Sequence, residues 1–232
     1  MSDELRGYQL LYMELCTGGD LLNYLRRRRS LDEPIAKLFM FQIIRALGYL
    51  HEKDIVHRDI KLENILLTNL GEIKLCDFGV AEVLEYHLVK KKIKKENEEE
   101  QGENTPTSPN INEAHQLIYR GTGETVKSEY EEIEVRKTIK LKDCCGTPAY
   151  MAPEVVSTGY QQRIANKIEN RKDRKKAQLA IKGYGKQCDI WSAGVLLYAL
   201  IFGILPFRGV TVKEIKNKIV LSYREQKTGR IK

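Results

Sequence analysis

The sequence has 232 residues, 42% of them hydrophobic and 31% charged, which predicts one globular domain with a sizeable core. Its formal net charge of +7 is modest for this size because both signs are abundant, so the charge alone identifies no partner. The five cysteines form an odd set without a Cys-x-x-Cys pair, which disfavours a disulfide framework and a zinc site and favours a reduced, cytoplasmic compartment.

The first residues predict a strand and a short helix. Met1–Gly7 is polar and carries no secretory leader pattern. Tyr8–Met13 is an aromatic and aliphatic run that predicts a strand, with a turn at Thr17–Gly19. Asp20 is placed to cap a helix through the Arg26–Arg29 run.

A long amphipathic helix follows and is expected to end near His51. Ser30 and Glu33 have capping-box spacing, and Pro34 is tolerated in a first helical turn. Apolar residues recur at helical spacing and define one buried face: Ile35, Leu38, Phe39, Ile43, Ala46, Leu47 and Leu50.

Short strands and two polar segments occupy the middle of the chain. Ile55-Val56, Ile65–Leu67 and Ile73–Leu75 predict strands, the last two joined by a turn at Asn69–Gly71 into a small hairpin that carries loops. Residues from about 90 to 142 contain opposite charge runs and Thr-Pro and Ser-Pro turns, which predict a mobile polar insertion. Residues 160–183 predict a second polar insertion, in which Ile164, Ile168 and Leu179 mark a weak helix.

One apolar segment has two interpretations. Ile190–Phe207 contains 18 residues without a charge, the lower limit for a membrane span. Gly194, Gly203 and Pro206 interrupt it, so a buried core helix is preferred. A further helix is predicted over Val212–Val220.

Several motifs occur in a diagnostic order. His57-Arg58-Asp59, with Lys61 two positions and Asn64 five positions after the aspartate, is followed by Asp77-Phe78-Gly79 and Ala152-Pro153-Glu154. Each alone is weak, but Gly146-Thr147-Pro148 and Asp189–Gly194 add two further matches. On these residues the sequence resembles the eukaryotic-type protein kinases, and Lys61 resembles the serine/threonine class. The Lys61–Asn64 loop loosely resembles calmodulin-dependent and AMP-activated relatives.

The resemblance implies an α+β fold, a mainly helical kinase C-lobe with a small β-hairpin region and a leftover N-lobe strand. Residues 1–19 would form the last N-lobe strand and the hinge, and residues 20–232 the C-lobe with its two insertions. The Gly-rich loop, strand Lys and helix Glu of the family have no counterpart before the hinge, so we expect the sequence to be incomplete at its start.

The resemblance also implies a transferase that uses ATP and Mg²⁺. Asp59 would orient the substrate hydroxyl and accept its proton, with the Lys61 ammonium beside the transferred phosphoryl group. Asn64 and Asp77 are hard oxygen donors suited to magnesium. Asp189 would anchor the catalytic loop through its backbone.

Nucleotide contacts are expected from the hinge. In the family pattern Met13 is the gatekeeper, Glu14 to Cys16 pair with adenine, Asp20 contacts the ribose and Leu66 forms the pocket floor.

An activation segment would run from Asp77 to Glu154 and include Thr147. Asp143 falls where relatives carry a phosphorylated Thr and would give Arg58 a permanent negative partner. Thr138 is a candidate phosphosite, and Glu154 has no recognised basic partner.

Three functions compete at this point. The first is a protein serine/threonine kinase acting on protein Ser and Thr, with this chain alone expected to be inactive and with no membrane partner. The second is a non-catalytic kinase lobe that binds proteins. The third, a nucleic-acid-binding protein, rests only on positive charge and ranks last.

Overall fold

The computed structural model of the chain describes residues 2–5, 8–94 and 130–228, within which six α-helices and nine short strands form. The helices are α1 (Leu21–Arg28), α2 (Glu33–Glu52), α3 (Pro153–Asn166), α4 (Arg171–Leu179), α5 (Gln187–Phe202) and α6 (Val212–Lys227). The strands are β1 (Ser2–Leu5), β2 (Tyr8–Leu11), β3 (Gly19–Asp20), β4 (Ile55–Val56), β5 (Ile65–Leu67), β6 (Ile73–Leu75), β7 (Glu82–Val83), β8 (Tyr86–Lys94) and β9 (Tyr130–Thr138). The predicted α+β class is confirmed.

The chain forms two compact units, Met1–Leu84 with Lys140–Lys232, and Glu85–Ile139. In the second unit β8 and β9 pair antiparallel from Tyr86 opposite Thr138 to Lys94 opposite Tyr130. The prediction of a mobile insertion from residue 90 is therefore wrong at both ends, where a regular ladder places Lys90 opposite Glu134. Residues 95–129 of that insertion lie outside the described residues.

Three small antiparallel sheets belong to the first unit: β1 with β2, β3 with β5 and β6, and β4 with β7. The hairpin of β5 and β6 is confirmed, with Ile65 opposite Leu75. The predicted strand Tyr8–Met13 is shorter than expected and ends at Leu11, because its partner β1 ends opposite that residue, at Ser2.

Helices α2 and α5 pack at the centre of the first unit. Ile43 and Leu47 of α2 and Leu196 and Leu200 of α5 are fully buried. Leu38 contradicts the prediction for α2, since 58% of it is exposed. It precedes the buried Phe39 by one residue, about 100° around the helix, and so points away from the core.

The helix starts agree only in part with the sequence. Asp20 caps α1 as predicted, because its Oδ1 accepts the backbone N–H of Asn23 at 2.7 Å. The predicted Ser30 capping box is wrong: α2 begins at Glu33 with Asp32 in the cap position. Glu33 instead pairs with Lys37 one turn ahead, at 2.7 Å.

The apolar segment after Asp189 is a buried core helix, α5, as preferred from the sequence. Among the described residues no helix is long and apolar enough to cross a membrane. The helix ends at Gly203, whose φ of 70° is left-handed.

The second polar segment is helical. Helix α3 continues into it as far as Asn166, and α4 follows after a short turn. Ala165 and Ile181 are its buried apolar residues, whereas Ile164 and Leu179, which marked the weak helix, are 67% and 70% exposed. Helix α6 extends to Lys227, beyond the predicted end at Val220.

Two glycine substitutions test this packing. A Cβ on Gly203 would lie 2.0 Å from the Arg29 carbonyl oxygen at a left-handed φ, so Gly203→Ala should lower the free energy of unfolding by more than about 1 kcal/mol. Gly194, inside α5, has open space for a Cβ, and Gly194→Ala should raise that free energy by about 0.5–1 kcal/mol. Urea unfolding measures both. Equal effects of the two variants would contradict this account.

Candidate functional site

One buried carboxylate holds the loop that carries His57-Arg58-Asp59. Asp189 projects from the first turn of α5 and is fully buried. Its Oδ2 accepts the backbone N–H of His57 at 2.9 Å, and its Oδ1 accepts that of Arg58 at 2.8 Å. His51 Nε2 lies 2.9 Å from Oδ2 as well. A buried carboxylate is tolerated when its oxygens are hydrogen-bonded in this way, and the predicted contact of Asp189 with the loop backbone is confirmed.

The Asp59 carboxylate accepts hydrogen bonds from two segments of the chain. Lys61 Nζ lies 2.5 Å from Oδ2, and Asn64 Nδ2 donates to the same oxygen at 3.2 Å. The backbone N–H and the hydroxyl of Thr147 both donate to Oδ1 at 2.8 Å. Lys61 Nζ also reaches the Thr147 hydroxyl at 3.1 Å, so the side chains of Asp59, Lys61 and Thr147 form one network.

This network fixes the charge state of Asp59. Burial favours a higher pKa for the carboxyl, but the bonds from Lys61 and Thr147 outweigh burial, so the pKa of Asp59 lies below its ordinary value. For Lys61, burial favours a lower pKa, but the Asp59 carboxylate outweighs it and raises that pKa. Both groups are therefore charged at neutral pH. The stability that ionised Asp59 contributes is lost as pH falls through its depressed pKa.

Asn64 and Asp77 lie at the same end of the hairpin of β5 and β6. Asn64 immediately precedes β5, and its carbonyl accepts the N–H of Cys76 at 3.0 Å, which places Asp77 one residue further on. The Asn64 side chain donates to the Asp59 carbonyl at 2.9 Å. Asp77 is exposed, has a left-handed φ of 61°, and its Oδ1 accepts the N–H of Gly79 at 3.3 Å.

The donor chemistry of this end fits magnesium. Asn64 uses its Nδ2 for the loop, which leaves its Oδ1 available, and the exposed Asp77 adds a carboxylate. Both are hard oxygen ligands, and Mg²⁺ typically takes only one or two protein ligands besides water and phosphate oxygens. The described ranges hold no group of three or more His, Cys, Asp and Glu able to hold a metal by themselves.

The predicted hinge residues lie beside this hairpin. Gly18 N–H donates to the Leu67 carbonyl at 2.9 Å, and Asp20 pairs opposite Leu66 in the register of β3 and β5. Leu66 is partly exposed, as a pocket floor requires. Asp20 is committed to its capping role, because both of its carboxylate oxygens bind Asn23, at 2.7 and 2.6 Å.

The residues before Gly18 are more exposed to solvent. Met13 is 77% exposed and Cys16 is partly buried. The Glu14 side chain pairs with Lys74 at 3.2 Å, which ties this segment to β6. The structure thus brings Glu14, Asp20 and Leu66 to the hairpin and leaves Met13 at the surface.

Arg58 has a different partner from the one the sequence suggested. Its Nη2 lies 3.2 Å from the Glu82 carboxylate, its Nε donates to the Val80 carbonyl, and its side chain is only 8% exposed. Asp143 is exposed, and its described contact is its backbone carbonyl, which accepts the Tyr184 hydroxyl. The prediction of an Arg58–Asp143 pair is therefore wrong. The nearer acid, on β7, is held beside the loop because β7 pairs with β4.

Two contacts near the site were not predicted from the sequence. Tyr184 is buried and lies 3.7 Å from Cys145 Sγ, and burial raises the pKa of its hydroxyl. Phe78 packs its ring against His57 at 4.9 Å between centroids. No local motif marks Tyr184, because its contacts come from a segment some forty residues earlier, at Asp143 and Cys145. Glu154 forms no ion pair with any described residue.

Comparisons with known proteins agree on one family. The model of the protein kinase domain matches residues 4–106 and 129–230. A probable serine/threonine-protein kinase of Dictyostelium discoideum is 30% identical over an alignment of 232 positions, gaps included. The alignment covers 92% of this chain and 15% of that protein. The probable serine/threonine protein kinase IRE of Arabidopsis thaliana is 30% identical over 90% of this chain and 14% of its own length. A meiosis-specific serine/threonine-protein kinase of Saccharomyces cerevisiae is 32% identical over 86% of this chain and 30% of that protein. The chain therefore spans less than a third of the length of these relatives.

The hydroxyl of Thr147 should set the pKa of Asp59. Thr147→Val removes the donor at 2.8 Å and should raise the pKa of the carboxyl towards its ordinary value. Thr147→Ser keeps the hydroxyl and serves as the matched control. Carbon-13 NMR titration of the Asp59 carboxyl measures both. A valine variant that titrates like the native chain would contradict the assigned contact.

The Arg58–Glu82 pair should contribute to stability, in contrast to Asp143. Glu82→Gln leaves a nearly buried guanidinium without its charge partner and should lower the free energy of unfolding by about 1 to 2 kcal/mol. Asp143→Asn removes an exposed charge and should change it by less than about 0.5 kcal/mol. Urea unfolding of both variants is the measurement, and a larger effect of Asp143→Asn would restore the original pairing.

Proposed function

The chain belongs to the protein kinase family, and on that premise we propose that it transfers the γ-phosphoryl group of ATP to Ser and Thr hydroxyls of proteins. The observation that carries this proposal is the Asp59 carboxylate, held ionised by Lys61 and Thr147 in one hydrogen-bonded network. The relatives of the chain described above are serine/threonine kinases by name, which favours these acceptors over tyrosine.

Asp59 acts on the substrate hydroxyl. Its carboxylate orients the oxygen for in-line attack and takes its proton as the new oxygen–phosphorus bond forms, while the bond from the γ-phosphorus to the β–γ bridging oxygen breaks and ADP leaves. A depressed pKa makes it a weak base, which suits a loose transition state in which positioning matters more than early proton removal. Thr147 keeps the carboxylate in place from the activation-segment side.

Lys61 supplies positive charge beside the same point. Its ammonium lies 2.5 Å from the Asp59 carboxylate and its side chain is 18% exposed, so it is partly sheltered from water. A preorganised cation in a sheltered site stabilises the negative charge of a transferring phosphoryl group more than it does in bulk water.

Asn64 and Asp77 would hold the Mg²⁺ of a magnesium–ATP complex, as members of this family generally bind the nucleotide. The bound metal neutralises the phosphate charge. For the nucleoside we propose the hinge contacts that the resemblance implied: Met13 beside the adenine, the Glu14–Cys16 backbone as its partner, and Leu66 beneath it. Asp20 would contact the ribose only by giving up one of its two bonds to Asn23.

We also propose a cytoplasmic location, with the nucleus as an alternative. In support, all five cysteines are free thiols, as expected of a reducing compartment.

An isosteric substitution tests the proposal. Asp59→Asn keeps the shape of the side chain but removes its charge, and should reduce phosphate transfer to a serine-containing acceptor by about 100-fold or more. The assay uses the complete protein with radiolabelled ATP and Mg²⁺. Asp32→Asn is the control, since Asp32 is exposed and its side chain makes no capping bond at the start of α2.

A wild-type protein that binds protein substrates without labelling them would instead establish the non-catalytic binding module. Full activity of Asp59→Asn would remove Asp59 from the mechanism.

A further inference from the structure

A row of cations without acidic partners lies on α4. The helix reads Arg-Lys-Asp-Arg-Lys-Lys-Ala-Gln-Leu and has one acid against five basic residues. Four of the basic side chains are exposed: Arg171, Lys172, Lys175 and Lys176. In the part of the chain that the structure describes, none of them forms an ion pair. Their charges therefore act together on whatever approaches this surface.

The helix is fixed in place by contacts that leave these four side chains free. Asn170 caps it by accepting the N–H groups of Lys172 and Asp173 at 2.9 and 3.3 Å. The fifth cation, Arg174, is structural, since its Nε donates to the Ile168 carbonyl at 2.7 Å. Gln178 bonds to Asn166 of α3 at 3.1 Å. A solvent-facing helix held by polar contacts at both ends presents its charges in a defined position.

The activation segment is attached to this helix. Lys142 Nζ donates to the Gln178 carbonyl at 3.2 Å. One residue earlier, Leu141 and Tyr184 exchange two backbone hydrogen bonds, at 2.9 and 2.8 Å. The approach is tight at Gly183, where a Cβ would lie 2.4 Å from the Leu141 carbonyl oxygen. The segment from Leu141 therefore runs directly from the surface of α4 towards the catalytic loop.

The same segment ends at the reacting carboxylate. Thr147 donates twice to Asp59 at 2.8 Å. Thr147 is five positions after Lys142, so their Cα atoms lie at most about 18 Å apart. An extended substrate advances about 3.3 Å per residue. A substrate side chain three to six positions from the accepted hydroxyl would lie about 10–20 Å from it, a range that includes this upper limit.

We infer that the exposed cations of α4 bind acidic side chains of the protein substrate and make acidic segments the preferred targets. This inference rests on the proposed kinase function and names the substrate class of the same site. Nucleic acid fits the surface less well, because α4 has no aromatic side chain on which a base could stack.

Matched peptides and variants test the inference on the complete protein. Three peptides each contain one serine and differ only at the positions that lie three to six residues before and after it. The first has glutamates at these positions before the serine, the second has glutamates after it, and the third has glutamines throughout. The protein should show a higher kcat/KM for at least one glutamate peptide, and added salt should reduce the difference. Lys175→Gln with Lys176→Gln should lower that preference about threefold to tenfold and leave the glutamine peptide unaffected.

Arg26→Gln with Arg27→Gln is the matched control, because it removes two exposed cations from the last turn of another helix, α1. It should leave the preference unchanged.

The outcomes separate the two proposals. Equal kcat/KM for all three peptides, or a preference that survives the α4 substitutions, overturns the inference while the kinase function stands. Tight binding of a short single-stranded RNA that depends on Lys175 and Lys176, without any peptide preference, also overturns it in favour of nucleic acid. Failure to phosphorylate every peptide and a general acceptor protein refutes the kinase function itself.

Discussion

The buried carboxylate of Asp189 is the contact on which the site depends. It comes from the central helix α5 and binds two consecutive backbone N–H groups of the loop that carries Asp59, at 2.9 and 2.8 Å. Arg58 has a left-handed φ of 67°, a costly conformation for a non-glycine residue that these bonds help to hold. Because α5 is itself held by its packing against α2, these bonds fix the position of the Asp59 side chain.

A second link closes the site from another part of the chain. Thr147 reaches Asp59 through both its backbone and its side chain, so the activation segment supplies the hydrogen bonds to one oxygen of the carboxylate, while Lys61 and Asn64 supply those to the other. Glu82 holds the Arg58 side chain beside the same loop. The geometry of the site is therefore set by segments that are distant in sequence.

The sequence predicted the parts of the molecule that local rules determine. Apolar periodicity located α2, an apolar run without charges located α5, short apolar runs located β4, β5 and β6, and the motif order indicated Asp59, Asn64 and Asp77. The ion-pair partner of Arg58 was not predictable, because several acidic residues compete for this one basic side chain. Asp143 is close to the motifs in sequence, but Glu82 is the acid that strand pairing brings to Arg58. The polar composition of residues 160–183 predicted only one weak helix where the structure has the end of α3 and all of α4, because the few buried residues, Ala165 and Ile181, are too sparse to give a periodic signal.

The way the pair α3 and α4 joins the core has an evolutionary consequence. The fully buried hydroxyl of Thr158 lies 2.8 Å from the Glu154 carbonyl and 3.0 Å from that of Lys182, so it clamps the points where this excursion leaves and rejoins the domain. Substitutions of exposed side chains between the clamped ends leave both of these hydrogen bonds intact. The surface of this excursion can thus diverge among descendants while its two points of attachment are inherited unchanged.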